Sequence, residues 1–231
     1  MANNIKKIAF IGNYLPRHCG IAAFTTDLCE MFAAQNPSVQ VFAIPVTDVE
    51  EGYDYPQRVC FEIKEQDISS YKAAADFINL NNIDVVCLQH EFGIFGGAAG
   101  GYILALLRQL KMPIVTTLHT VLKNPSARQR RVMDELLDLS DHVVVMTQKA
   151  VDILQAVNKI HGSKILLIPH GIPDVSFIDP NFYKDQYGVE GKTVLLTFGL
   201  LAPHKGIEVV LRALPKVIKE HPNAVYIVVG A

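Results

Sequence analysis

Two histidines and a glutamate stand directly after apolar segments that have the pattern of buried strands. Gln89-His90-Glu91 follows the apolar run at residues 85–88, and His119 follows the run at residues 114–118. An imidazole or a carboxylate at such a position can bind sugar hydroxyls or transfer protons, so His90 and His119 are the candidate catalytic residues. The alternative is a structural histidine that hydrogen-bonds the backbone. A metal site is disfavoured, because adjacent residues rarely chelate one ion together and the sequence offers no evident third ligand.

Two glycine-containing turns are placed to bind phosphate. Gly20 follows a loop that begins at Gly12-Asn13 and opens a predicted helix, while Lys205 and Gly206 precede another predicted helix. The first turn of a helix presents unpaired N–H groups and a partial positive charge, so both turns suit a phosphate or a pyrophosphate. The first turn lacks the G-x-G-x-x-G pattern, which argues against a nicotinamide or flavin site. Ordinary helix-start glycines remain the alternative for both turns.

A glycine-rich loop offers one surface for a second substrate. Residues 93–101 contain five glycines and follow the polar end of a predicted strand. Glu91, Gly96 and Gly97 are therefore candidate acceptor-binding residues. Backbone N–H groups of such a loop can also cradle an anion, although tight turns are the more common use of glycine.

A basic helix offers a second such surface. Arg130 and Arg131 lie in the first part of a helix predicted at residues 126–139. They suit an anionic acceptor or a membrane surface. The alternative is a solvated helix face that carries two ion pairs, Arg130 with Asp134 and Arg131 with Glu135.

Composition and charge argue against several classes of protein. The 231 residues carry a net charge of −2, so no overall positive field favours a nucleic-acid partner. The four cysteines show no C-x-x-C spacing, which disfavours a zinc site or a disulfide framework. No apolar run approaches the roughly 18–20 residues of a membrane span, and the first residues lack the apolar core of a signal peptide. We therefore expect a cytoplasmic protein, with peripheral contact at the inner face of the membrane as an alternative.

The elements that must position these residues alternate between strand and helix patterns. Such alternation predicts an α/β fold, a Rossmann-like parallel sheet with helices on both faces. Ligands of such sheets bind outside the carboxyl ends of the strands, which is where Gly12, His90 and His119 fall. The predicted strands are residues 7–11, 39–44 (ended by Pro45), 59–63, 84–89, 114–118, 142–146, 164–168, 193–198 and 224–229.

The same pattern predicts the division into domains. We expect a complete Rossmann-like domain at residues 1–168, a linker rich in proline and glycine at residues 169–191, and the incomplete start of a second Rossmann-like domain at residues 192–231. The sequence stops at Gly230-Ala231, where the ligand loop after the last strand should begin. A function built across two domains would then be half encoded in this chain, and we expect the chain by itself to be inactive.

In their order and spacing, these elements resemble glycosyltransferases of family 4, which have the GT-B fold of two facing Rossmann-like domains. The resemblance covers essentially the whole chain. It implies that Gly20 faces the pyrophosphate of the donor, with Cys19 in place of the family's first glycine, and that His119 lies near the transferred sugar. It also implies that Lys205 is the phosphate-binding lysine of the segment at residues 199–206, although Leu200 stands where the family usually has arginine.

The activity implied by the resemblance is retaining transfer of a hexose. The donor would be a GDP- or UDP-linked sugar, the acceptor a sugar, a glycan or a lipid, and no cofactor or metal ion would be needed. The family's paired-glutamate motif, which contacts the donor sugar, is expected beyond Ala231. Two alternatives stay open: a non-catalytic domain that binds sugar or phosphate, and another GT-B enzyme such as an epimerase or a phosphorylase.

Overall fold

Strands and helices alternate along the chain in the computed structural model, which describes residues 5–172, 174–199 and 201–230. It divides into two compact units, Met1–Gly171 and Ile172–Ala231. The strands are β1 (Lys7–Gly12), β2 (Gln40–Thr47), β3 (Ile63–Lys64), β4 (Val85–His90), β5 (Ile114–Leu118), β6 (His142–Val145), β7 (Ile165–Leu167), β8 (Thr193–Phe198) and β9 (Ala224–Val229). The α-helices are α1 (Gly20–Gln35), α2 (Ile68–Leu80), α3 (Ile103–Leu107), α4 (Ala127–Leu139), α5 (Gln148–Ile153), α6 (Pro180–Gln186) and α7 (Ile207–Glu220).

The first unit is built on a seven-stranded parallel sheet in the order β3-β2-β1-β4-β5-β6-β7. The chain runs outward from β1 to β3 and then returns to β4 on the other side of β1. The strand order therefore reverses between β1 and β4. Such a reversal leaves a crevice outside the carboxyl ends of the two strands, because their connections leave in opposite directions. The predicted parallel α/β fold is confirmed, and the crevice lies at Gly12 and His90.

Both faces of the sheet are covered by apolar side chains, as expected for parallel strands. On one face, Ile11 and Ile44 belong to a large core that includes residues of α2, α3 and α4. On the other face, Phe10 packs in a smaller core with Cys29 of α1. This burial on both faces holds the carboxyl ends of the strands in fixed positions relative to one another.

β2 runs through Pro45, so the prediction that this proline ends the strand is wrong. The Ala43 N–H donates to the carbonyl of Arg58, and the Thr47 carbonyl accepts from the N–H of Glu65. Residues two apart on a strand point their backbone groups to the same side, so the missing N–H of Pro45 also faces this side. It falls between the bridge at Ala43 and the start of β3. Because no strand pairs at that position, proline is tolerated there.

Three further elements differ from the predictions. The strand predicted at residues 59–63 is β3, Ile63–Lys64, preceded by an isolated bridge between Ala43 and Val59. The helix predicted at residues 149–158 is α5 followed by a π-helical turn, Leu154–Asn158, which ends at Lys159 in the left-handed region (φ 56°). The predicted linker contains α6. The Asp179 carboxylate caps that helix by accepting from the N–H of Asn181 at 2.9 Å, and Pro180 occupies the first helical position. Both residues are strong helix-start signals.

In the second unit, β8 and β9 pair in parallel over six residues and are joined by α7. This arrangement is the predicted strand–helix–strand. The domain boundaries at residues 168 and 192 stay predictions. Among the described residues of the whole chain, no helix combines the length and the apolar character needed to cross a membrane.

Candidate functional site at the carboxyl edge of the sheet

The ends of β4 and β5 bring His90, Glu91 and His119 together, as the sequence predicts. The backbone N–H of His119 donates to the carbonyl of His90 at 3.0 Å. Beside this bond, the Thr120 hydroxyl donates to the carboxylate of Glu91. Glu91 also accepts from the N–H of Phe92 at 2.9 Å, so its side chain is fixed at the start of the glycine-rich loop.

The His119 imidazole is half-buried and held on two sides. Its Nε2 lies 3.0 Å from Oε1 of Gln89, and its ring meets the ring of Phe24 edge-on, with centroids 4.8 Å apart. An amide oxygen only accepts, so Nε2 carries the proton and Nδ1 is left as an acceptor. Burial, followed by the neighbouring His170, lowers the pKa of His119 to about 4. The ring is therefore neutral at pH 7 and able to accept a hydrogen bond from a hydroxyl.

His90 lies beneath this surface and is completely buried, with 0% exposure. Its ring stands between Phe92 and Phe95, at centroid distances of 5.1 and 5.8 Å. Neither ring nitrogen has a hydrogen-bond partner within the part of the chain that the structure describes. Burial, and secondarily His119, lowers the pKa of His90 to about 3. The observed contact of His90 with the site is its carbonyl, which fixes the backbone of His119, and a catalytic role for the ring stays a prediction.

The amino terminus of α1 is open where a ligand could approach it. Cys19 caps the helix, since its Sγ accepts from the N–H of Ala22 at 3.2 Å. Gly20 is the first helical residue and is exposed, and a Cβ added to it would meet nothing within 4 Å. The packing of the unit therefore does not require glycine at this position. Within the described residues, the N–H groups of Gly20 and Ile21 have no acceptor, and such unpaired groups suit an anion.

Arg17 has no role in the sequence-based predictions, yet it ties the edge of the sheet together. Its side chain is 14% exposed and pairs with Asp48 at 3.0 Å and with Glu65 at 3.6 Å. It also donates to Oδ1 of the buried Asn13 and to the carbonyl of Val46. These contacts tie the β1–α1 loop, which carries Gly20, to the ends of β2 and β3. A lone arginine in a loop gives no sequence signal for this, because its acidic partners lie far along the chain.

The glycine-rich loop folds into two short 3₁₀ turns, Phe92–Ile94 and Ala98–Gly100. Gly96 is buried, and a Cβ on it would lie 1.9 Å from the carbonyl oxygen of Glu65. Gly97 is exposed and has φ of +77°, with the Tyr102 ring 2.5 Å from the position of a Cβ. Packing thus accounts for both glycines, and their part in acceptor binding stays a prediction.

An ion pair accounts for one of the two candidate arginines on α4, Arg130. Arg130 lies 3.8 Å from Asp134 and also donates to the carbonyl of Val157. The Arg131–Glu135 pair, which the alternative of a solvated helix face includes, is wrong, because Glu135 instead binds Arg108 at 2.5 Å. Arg131 is exposed. The start of the helix is as predicted, with a capping box in which the Ser126 hydroxyl accepts from the N–H of Gln129 and the Gln129 side chain accepts from the N–H of Ser126.

The second unit carries the Lys205–Gly206 turn. Lys205 is exposed at the end of a 3₁₀ turn, Pro203–Lys205. Gly206 follows with φ of +68° and precedes α7, a conformation that favours glycine. The turn thus places a cation beside the first N–H groups of a helix. The departure at Leu200 lies outside the described residues.

The arrangement of strand ends and helix start agrees with the comparison to known families. A family model described as Glycosyltransferase Family 4 matches residues 19–175. The chain belongs to this family. Enzymes of family 4 use nucleotide-sugar donors, and the matched region contains Gly20, His90, Glu91 and His119.

Two curated relatives match the chain with different identity and coverage. It is 39% identical over 69 residues to the phosphatidyl-myo-inositol mannosyltransferase of Mycolicibacterium smegmatis, which covers 30% of this chain and 18% of that protein. It is 25% identical to the alpha-monoglucosyldiacylglycerol synthase of Streptococcus pneumoniae, with 96% of this chain and 54% of that protein covered. The chain spans about half or less of the length of these relatives.

A solved structure supports the fold. The crystal structure of UDP-GlcNAc 2-epimerase from Neisseria meningitidis bound to UDP-GlcNAc matches 97% of this chain and 66% of that chain, with a TM-score of 0.54 and 12% sequence identity. At this identity the likeness concerns the fold alone. It confirms the predicted GT-B type of α/β architecture.

Proposed function

We propose that this chain carries the acceptor-side domain and the beginning of the donor domain of a retaining hexosyltransferase. The domains would be residues 1–168 and 192–231, joined by a linker at residues 169–191. The enzyme would move a hexose from a GDP- or UDP-linked donor to a sugar, a glycan or a lipid acceptor. The single observation that carries the proposal is the open amino terminus of α1, next to the strand reversal of a family 4 domain.

The donor phosphates are assigned to groups in each unit. Gly20 would supply backbone N–H groups from the first unit, and Lys205 and Gly206 would supply a cation and further N–H groups from the second. Fixed N–H dipoles and a cation stabilise the charge that develops on a leaving pyrophosphate without reorganising during the reaction. Gly20 has no packing role that competes with this assignment.

His119 is assigned to the transferred sugar. Its imidazole is neutral, and Gln89 and Phe24 fix its orientation. A fixed acceptor nitrogen can position one sugar hydroxyl, and precise orientation of the reacting ring is worth a large rate factor. His90 would act together with His119 in this arrangement, with its backbone carbonyl holding the His119 N–H.

The acceptor is assigned to the same edge of the first unit. Glu91, Gly96 and Gly97 would contact it beside His119, and Arg130 and Arg131 would attract an anionic head group. The names of two relatives, a phosphatidyl-myo-inositol mannosyltransferase and an alpha-monoglucosyldiacylglycerol synthase, favour a lipid acceptor. A lipid acceptor would bring a cytoplasmic enzyme to the inner face of the membrane.

The test is transfer of labelled hexose by the full-length natural protein. UDP- and GDP-linked hexoses are incubated with a total lipid extract or with methyl glycosides, and label in the acceptor is counted. His119→Asn is expected to lower kcat on the order of 100-fold, because orientation of the sugar is lost. His161→Asn is the matched control, since this exposed histidine bonds Ser163 before β7, away from the carboxyl edge. Equal activity of the two variants would contradict the assignment of His119.

A further inference from the structure

A pocket of about 680 Å³ opens on the side of the first unit, apart from the residues assigned above. Three segments line it: the start of the β1–α1 loop, one side of α1, and residues 54–58. None of the lining residues belongs to the cluster of Glu91 and His119, although α1 also carries Phe24, which contacts the His119 ring. The pocket is therefore distinct from that cluster, although it lies on the same unit.

The floor of the pocket is a fixed network of three side chains. The hydroxyl of the buried Tyr14 donates to Glu30 Oε1 at 2.5 Å. Arg58 donates two hydrogen bonds to the same carboxylate, from Nε to Oε1 at 2.5 Å and from Nη2 to Oε2 at 2.9 Å. Hydrogen bonding to Arg58 is the main cause that lowers the pKa of Glu30. The ion pair is thus present at neutral pH, and a bidentate pair of this kind holds both side chains in one geometry.

Unused hydrogen-bonding groups point to what the pocket can hold. Within the described residues, Nη1 of Arg58 and the carboxylate of Asp54 have no protein partner. The hydroxyl of Thr26 accepts from the N–H of Leu15 and keeps its own proton for donation. The pocket therefore offers separate donors and acceptors to a ligand.

The remaining wall is apolar and carries rings. Pro16, Pro56 and the half-buried Tyr55 line the opening, and the Tyr55 hydroxyl is already bonded to Thr47 at 3.1 Å. Flat apolar faces beside separate donors and acceptors match a pyranose ring, whose C–H face is apolar and whose hydroxyls both donate and accept. An anion is disfavoured, because two carboxylates stand against one guanidinium in the lining.

We propose that this pocket binds one neutral hexopyranose ring of a glycan, at a site separate from the cluster of Glu91 and His119. The inference adds a subsite to the proposed function and rests on it for the origin of the sugar. Pro16 and Leu15 belong to the loop that also carries Arg17 and leads to Gly20. A ring bound here would contact that loop directly, so occupancy of the pocket would hold the loop that presents the phosphate-binding turn.

The test measures binding without any transfer. Methyl α-D-glucopyranoside and methyl α-D-mannopyranoside are titrated into the full chain, without nucleotide sugar, and followed by saturation-transfer NMR. One ring in a shallow pocket should bind at least one of them with a Kd on the order of 1–10 mM. Asp54→Asn and Arg58→Gln should each weaken that binding by about tenfold, because each removes a hydrogen bond to a charged group.

Two control variants show whether the glycoside binds in this pocket or elsewhere on the chain. Arg108→Gln breaks the equivalent surface pair with Glu135 and should leave the Kd unchanged. His119→Asn reports on any glycoside bound at the cluster of Glu91 and His119, so binding that this variant keeps and Asp54→Asn weakens belongs to the pocket. Far-UV circular dichroism checks that each variant is folded. If Arg58→Gln unfolds, the exposed Asp54 carries the test.

The absence of saturable binding by either glycoside would overturn the proposal. So would binding that survives Asp54→Asn and Arg58→Gln, or binding that His119→Asn abolishes. Because no donor is present, a failed transfer assay does not affect this result. A protein that transfers hexose but shows no binding here keeps the proposed function and loses the subsite.

Discussion

The variant Gly20→Ala tests whether Gly20 is needed for donor binding or for the fold. Gly20 is the first residue of α1, its φ is not positive, and an added Cβ would meet no heavy atom within 4 Å. The methyl group therefore fits the folded unit without displacing anything. If a donor pyrophosphate lies against this turn, the same methyl group stands in the path of its approach.

The two effects have opposite signs. Replacing glycine by alanine in a helix that accepts it stabilises a protein by about 0.5 kcal/mol, because the unfolded chain loses conformational freedom. Blocking one N–H bond to a charged phosphate costs about 1.5–3 kcal/mol of binding, which weakens donor affinity about tenfold to a hundredfold. The variant should therefore be slightly more stable and bind the donor much more weakly.

Urea unfolding measures the first effect on this chain, and the KM for UDP- or GDP-hexose measures the second on the full-length protein. Gly162→Ala is the control, since its Cβ would meet the flexible end of the Gln155 side chain at 3.2 Å and it lies at the opposite edge, before β7. A donor KM within about twofold of the wild-type value would refute the phosphate role, because that change is below the worth of one charged hydrogen bond. Destabilisation by more than about 1 kcal/mol would show instead that the fold needs this glycine.

Three further variants test other parts of the structure. Arg17→Ala should destabilise the chain by about 2–4 kcal/mol in urea unfolding, since it leaves the partly buried carboxylate of Glu65 and the buried side-chain oxygen of Asn13 without their donor. Arg108→Ala, at an exposed position, should cost less than about 1 kcal/mol, and equal costs would contradict the role of Arg17 in tying the strand ends together. Gly96→Ala should cost about 3 kcal/mol or more by overpacking, while Gly93→Ala, with nothing within 4 Å, should be nearly neutral; a neutral Gly96→Ala would show that packing does not require this glycine. Burial lowers the pKa of His90 to about 3, so between pH 6.5 and pH 5 the unfolded chain binds a proton that the folded chain excludes. The free energy of unfolding therefore falls by up to about 1.4 kcal/mol per pH unit as the pH drops. His90→Phe should remove this contribution of His90, and an unchanged dependence of stability on pH would refute the assignment.

The strand ends could be predicted from the sequence because each apolar run is short and closed by a polar residue. His90, Glu91 and His119 were placed at one edge on this basis alone, since parallel strands share the direction of their carboxyl ends. The register adds the bond from the His119 N–H to the His90 carbonyl. The burial of the His90 ring could not be predicted, because it depends on Phe92 and Phe95 folding back over it.

The role of a single glycine, proline or arginine depends on tertiary contacts that the sequence does not reveal. Gly20 begins α1 and Gly96 lies in the glycine-rich loop. An added Cβ would meet nothing within 4 Å at Gly20, but would lie 1.9 Å from a carbonyl oxygen at Gly96. Pro45 is a further example. Proline usually ends a strand because it lacks an N–H, but here no strand pairs with β2 at Pro45 on the side where that N–H would point. Arg17 depends on Asp48 and Glu65, which come beside it only after the sheet has formed.

The most direct test of the account is hexose transfer by the full-length protein, with the anomeric configuration of the product read by NMR. Label from a UDP- or GDP-linked hexose should enter a glycan or lipid acceptor with the donor configuration retained, and Gly20→Ala should lower the affinity for the donor. Interconversion of UDP-sugar epimers without transfer, or saturable binding of the donor without any product, would contradict it.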